Sequence, residues 1–149
     1  MPTLEEQILS RLNDAKDAIV SNIQSKGITA SGRTQKAIKV KQEGSSFLLY
    51  KESGNNAPMQ TLEIGREGGA VPKGFQEIIL QWMKDKGISS GNEPKDRSMA
   101  FLISRKIERE GTQRFKTPDN TVYSPIVNQV AKDIKNIIVD SVVKTIKTR

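Results

Sequence analysis

Two side chains central to protein chemistry are missing from this chain: its 149 residues include no histidine and no cysteine. Ser-His-Asp triads, imidazole proton shuttles, thiolate nucleophiles and the usual zinc or non-haem iron ligand sets each need one or the other. Disulfides go with the cysteines. What remains is carboxylate, lysine and magnesium chemistry. The 17 Asp and Glu residues, however, are scattered singly among lysines along the chain, which is how a solvated surface reads, and no pair is set up for general acid and base work. The expectation is a chain with no catalytic residues, no cofactor and no bound metal.

The segment closest to a ligand cradle is Gly65 to Gly74, glycine-rich and carrying Lys73. A phosphate loop ends in Gly-Lys-Ser/Thr and is spaced so that backbone amides and the lysine converge on one phosphate. This segment has neither property. Gly65, Gly68 and Gly69 therefore read as a structural turn, at positions that need positive φ or close packing. Pro72 fixes the chain as it enters the next helix.

Charge gives the remaining chemical lead. The formal net charge is +7, with three bases against four acids in residues 1–30, nine against six in 31–87 and twelve against seven in 88–149. The excess lies in the C-terminal half and implies attraction to something anionic. It is spread over Arg105, Lys106, Arg109, Arg114 and Lys116 and then the last helix; Arg105, Lys106 and Arg109 read as either a solvated helix face or a surface that meets an acidic partner or DNA. With four Phe, two Tyr and one Trp, there is no aromatic-basic platform for stacking bases.

The elements that must position these residues follow from periodicity. Length suits one domain over residues 1–149. Thr3 and Glu6 form a capping box before a helix whose stripe is Leu4, Ile8, Leu12, Ala15, Ile19 and Ile23, ended by Gly27. Alternation at Ile38 and Val40, a Gly44-Ser45 turn and Phe47 to Lys51 predict a β-hairpin with a wet lysine face. Ser53 to Pro58 reads as a loop and Met59 to Ile64 as a third strand. Phe75, Ile78, Ile79, Trp82 and Met83 predict a short helix with Trp82 as core anchor, ended by Gly87. Ile88 to Lys95 reads as an unordered loop. The next helix buries Met99, Leu102, Ile103 and Ile107, presents Arg105, Glu108 and Arg109, and ends at Gly111. Residues 112–123 form an irregular arm expected to project from the domain. Ser124-Pro125 starts a last helix, with Ser124 as N-cap and an apolar stripe reaching Ile146. The fold class is α+β: a small antiparallel sheet of about three strands packed by about four helices, with the long helices at the two ends of the chain. No apolar run approaches the ~18 residues of a membrane span, and charges stand where a signal peptide would be greasy. A soluble, cytosol-made protein is expected.

Three stretches in this order carry a resemblance: Leu62-Glu63-Ile64-Gly65-Arg66 with its Gly/Pro turn, Ile79-Leu80-Gln81-Trp82-Met83-Lys84-Asp85-Lys86-Gly87, and Ala100-Phe101-Leu102-Ile103-Ser104-Arg105-Lys106-Ile107-Glu108-Arg109-Glu110-Gly111-Thr112. Over roughly residues 30–115 the chain resembles the small neck and tail-completion proteins of tailed bacteriophages. The family's aromatic-proline stretch after Gly-Thr is met in part by Arg114-Phe115-Lys116-Thr117-Pro118. The resemblance implies a non-enzymatic virion protein, made in the host bacterial cytoplasm, that forms a ring at the head-tail junction in a tail-completion, terminator or connector role. The implied partners are further copies of itself (six-fold favoured, twelve-fold possible), portal, adaptor or tail proteins, and the packaged DNA passing through the channel, with no membrane involved. On this reading Arg105, Arg109, Arg114, Phe115 and Lys116 are the candidate assembly surface, and the long terminal helices bury part of their stripes against neighbours. The competing reading is a basic DNA-binding module of phage or bacterial origin, which would need a helix-turn-helix or an aromatic-basic sheet.

Overall fold

A computed structural model describes residues 1–52 and 59–148; the loop expected over Ser53 to Pro58 lies outside them. The chain gathers into two compact units, each drawn from separate stretches of sequence. One comprises Met1–Gly27, Gln35–Asn55 and Asn120–Arg149, the other Ile28–Thr34 and Asn56–Asp119.

The first unit is built on α1 (Leu4–Ser25) and α7 (Ser124–Lys147). The capping box forms as expected: the Thr3 N–H donates to Glu6 Oε2 at 2.7 Å and the Glu6 N–H to Thr3 Oγ1 at 3.1 Å. Ile8, Leu12, Ala15, Ile19 and Ile23 are buried along one face. Burying an Ile or Leu fully is worth about 1.5–3 kcal/mol, so this stripe dominates the unit's stability. The two helices run antiparallel. The Asn22 amide donates to the Val122 carbonyl at one end, and further along Arg11 Nε meets Asp133 Oδ2 at 2.7 Å. Hydrogen bonds from Gln129 and then Arg11 hold the Asp133 carboxyl below its usual range.

After α2 (Arg33–Ala37), the strands β1 (Ile38–Glu43) and β2 (Ser46–Lys51) pair antiparallel, with Val40 opposite Leu49 and Glu43 opposite Ser46, leaving Gly44-Ser45 as a two-residue turn. Val40, Phe47 and Leu49 pack on the α1–α7 core, while Lys39 and Lys41 stay exposed. The period-2 reading holds here because one face is apolar and the other is charged.

The second unit contains α3 (Met59–Ile64), α4 (Phe75–Asp85), α5 (Glu93–Glu110) and α6 (Gln113–Lys116). Met59 to Ile64 is thus a helix, and the described sheet has two strands where about three were expected. Six residues are too few for periodicity to separate strand from helix. The deciding feature is Gly65, whose φ of 69° and N–H bond to the Thr61 carbonyl, at 3.0 Å, make a helical C-terminus. Together with α2 and α6, it adds three short helices to the four expected.

The helices α4 and α5 form a hairpin around Ile79, Leu80, Met83 and Ala100, with Phe75, Ile103 and Ile107 partly buried beside them. Trp82 is 39% exposed and is not the core anchor, and Met99 and Leu102 are also exposed. The cause lies on α5, where Asp96, Ala100 and Ser104 recur every fourth residue and are all buried. That narrow stripe of small side chains draws in the Ile79–Met83 flank of α4 and turns the Ile78–Trp82 flank outward.

The loop before α5 is ordered by Asp96, correcting the expectation of an unordered segment. Its carboxylate accepts hydrogen bonds from the Ser89 and Ser90 hydroxyls and the Ser90 N–H, and Asn92 caps the helix through the Lys95 N–H. These bonds, the one from Ser89 first, hold the Asp96 carboxyl below its usual range. A depressed carboxyl stabilises the fold above its unfolded pKa and loses that contribution as pH falls through the folded value. Acidification should therefore loosen residues 89–92, seen as faster amide exchange there. Asp96→Asn should flatten the acid limb of the stability curve, and an unchanged limb would contradict this role.

Candidate functional site

The glycine turn and the arm after α5 prove to be one structure. From Gly65 to Gly69 the chain runs against the end of α5 and the start of α6, joined by backbone bonds in both directions. The Gly69 N–H donates to the Glu108 carbonyl at 2.7 Å, the Thr112 N–H to the Arg66 carbonyl at 2.9 Å, and the Asp119 N–H to the Glu63 carbonyl at 2.9 Å. The Thr112 hydroxyl accepts from the Arg66 N–H at 2.9 Å.

The crossing is tight enough to exclude side chains. A Cβ on Gly65 would stand 2.2 Å from the Phe115 nitrogen, one on Gly68 2.9 Å from the Arg109 oxygen, and one on Gly111 2.5 Å from the Arg66 oxygen. Gly65 also sits at positive φ. Gly69 has φ 146° with open space around it. The reading of Gly65, Gly68 and Gly69 as positions set by backbone conformation or close packing thus acquires its partners. Arg66 completes the crossing: its guanidinium lies 5.3 Å from the Phe75 ring centroid and donates to the Ala70 carbonyl at 2.7 Å. Its Nη1 is buried without a hydrogen-bond partner among the described residues.

The expected projecting arm is therefore pinned down. Its first half is the one-turn helix α6, capped by Thr112, and Val122 near its end is fully buried. Gly111 and Pro125 mark its limits in the sequence, yet carry no information about the Glu63–Gly69 strip that receives it.

The candidate assembly residues fall at one end of the second unit, Arg105 and Arg109 on α5 and Arg114, Phe115 and Lys116 on α6. Much of their charge is locally matched. Arg105 pairs with Glu108 at 3.3 Å, Arg114 with Asp119 at 3.3 Å and Lys116 with Glu110 at 3.0 Å, and the Lys116 bond holds the Glu110 carboxyl below its usual range. Solvent screening leaves the Arg105–Glu108 and Lys116–Glu110 pairs with little weight in stability, and Arg114 with Asp119 is partly buried. Phe115 is exposed beside them.

Several residues of the expected core stripes are exposed: Ile78, Trp82, Met99 and Leu102 in the second unit, and Val127, Ile138, Val142 and Ile146 on α7; Phe101 in the second unit and Val139 and Val143 on α7 add to this apolar surface. One signal for the second group was present in the sequence. Apolar residues at 137, 138 and 139 and again at 142 and 143 wrap around a helix, whereas a single stripe skips every second and third position. Among the described residues no group of three or more His, Cys, Asp or Glu could hold a metal ion, and no helix is long and apolar enough to cross a membrane. No family model, curated protein or solved structure matches the chain.

Proposed function

We propose that the chain is a non-enzymatic structural subunit that works as one copy within a closed ring, in the setting its sequence resemblance implies: the neck of a tailed phage particle, between portal or adaptor proteins and the tail. The observation that carries this reading is the apolar surface exposed on both units, which includes Trp82, Leu102, Val142 and Ile146. Monomeric proteins keep such surface in small patches, and larger contiguous ones mark contact sites. A ring also gives the charge a use. At +7 per copy, a closed oligomer concentrates positive potential around a channel through which DNA passes, or against acidic rings above and below.

Native mass spectrometry of the purified full chain tests this. The expected spectrum is dominated by one closed oligomer, with six copies favoured over twelve. A chain that stays monomeric and binds duplex DNA with steep salt dependence would overturn the ring and favour the DNA-binding module.

A further inference from the structure

We infer that the C-terminal part of α7 is a self-docking element, seated in a second copy of this chain against the start of α1. The inference rests on the ring reading in taking the partner to be another copy, and adds the contact through which copies join. The first observation is an overhang. Asn22 lies level with Val122 and Arg11 with Asp133, so each step back along α1 matches one step forward along α7. On that register Leu4, the first residue of α1, is level with about Asp140. Residues 141–147 therefore run on past α1 for about 10 Å at 1.5 Å per residue. Val142, Val143 and Ile146 occupy this overhang at 53%, 40% and 68% exposure, and Ile138 and Val139 lead into it.

The second observation is a matching receptor in the same unit. Beside Ile137, the start of α1 forms a cleft of about 300 Å³ lined in part by Pro2, Glu6, Arg11, Asp14 and Ile137. Pro2 and Ile137 are its apolar lining, beside the polar Gln7 and Ser10. Its lining includes two carboxylates, Asp14 and Glu6, the latter also accepting from the Thr3 N–H, while its one lining cation, Arg11, is held by Asp133 at 2.7 Å. The overhang bears the complementary set: Val142, Val143 and Ile146 for the apolar lining, and Lys144 and Lys147 for the two carboxylates. Apolar contact combined with opposite charges is the pattern of a specific contact.

The test is sedimentation velocity on the full chain, with circular dichroism as the folding check. The wild type should assemble, and V142D/I146D should be folded and monomeric, because both substitutions lie on exposed surface. As a second arm, K144E/K147E should weaken self-association about tenfold or more, and adding Asp14→Lys should restore it in part. If V142D/I146D and K144E/K147E assemble as the wild type does, the contact is overturned while the ring stands. A wild type limited to dimers, abolished by V142D/I146D, would support the contact and refute the ring. A wild type that stays monomeric at high micromolar concentration overturns both, and leaves the overhang to a different protein.

Discussion

Replacing Gly65 with alanine should destabilise the second unit by about 2–5 kcal/mol, the sum of a left-handed backbone imposed on an L-residue and a methyl group forced into packed chain. The space is bounded by atoms that cannot swing aside: the Phe115 nitrogen at 2.2 Å and the Arg114 carbonyl carbon at 2.7 Å belong to the backbone, and the Thr112 hydroxyl at 2.6 Å is held by its bond from the Arg66 N–H. Relief requires α6 to move away, which lengthens the Thr112–Arg66 and Asp119–Glu63 bonds. The three glycines should therefore separate in denaturation experiments. Gly69→Ala, with open space around it, should cost only about 1 kcal/mol from backbone conformation. Gly68→Ala should fall between, since it meets the Arg109 carbonyl at 2.9 Å without a positive φ. If Gly65→Ala costs no more than Gly69→Ala and Gly68→Ala costs nothing, backbone conformation alone, and not the crossing, determines the glycines.

Met83→Ala should cost about 2–5 kcal/mol, as large-to-small changes in a closed core do. The side chain is 3% exposed between Ile79, Leu80 and Ala100, and the cavity left behind faces an α5 surface of small residues that cannot fill it. Trp82→Ala, one position away and 39% exposed, should cost under about 1 kcal/mol, as surface substitutions do. Its effect should appear in assembly instead, because its indole belongs to the exposed apolar surface. Thermal melts of the two variants decide the matter. A Trp82 variant that melts as far below the wild type as the Met83 variant would place the indole in the core.

These contrasts show where local sequence is sufficient and where it is not. Thr3 with Glu6, Gly27, the Gly44-Ser45 turn and Gly87 each act on residues within one turn, so their elements form where residue type and spacing place them. Trp82 failed because the stripe from Phe75 to Met83 is wide enough to face two ways. The choice was made by Ala100 and Ser104, about twenty positions away in sequence. Met59 to Ile64 failed because six residues satisfy both periods. At the candidate site, the glycines were legible as backbone positions, since no ligand motif accompanied them. Their partners Arg109, Thr112 and Phe115 were not, because contacts more than 40 residues apart leave no mark on local composition. The same holds for the arm, whose limits are written in Gly111 and Pro125 but whose anchor, the Glu63 carbonyl, is remote. On α7 the apolar positions were visible along the whole helix. Only the register set by Arg11 and Asp133 shows that α1 covers the first part of them and not the last.

The most direct measurement of the central claim is negative-stain electron microscopy of the purified full chain, with class averages computed without imposed symmetry. The ring account predicts closed particles of uniform diameter with a central opening and six repeating lobes, or twelve. A field of small particles of single-chain size, with no closed class at any concentration, would contradict it.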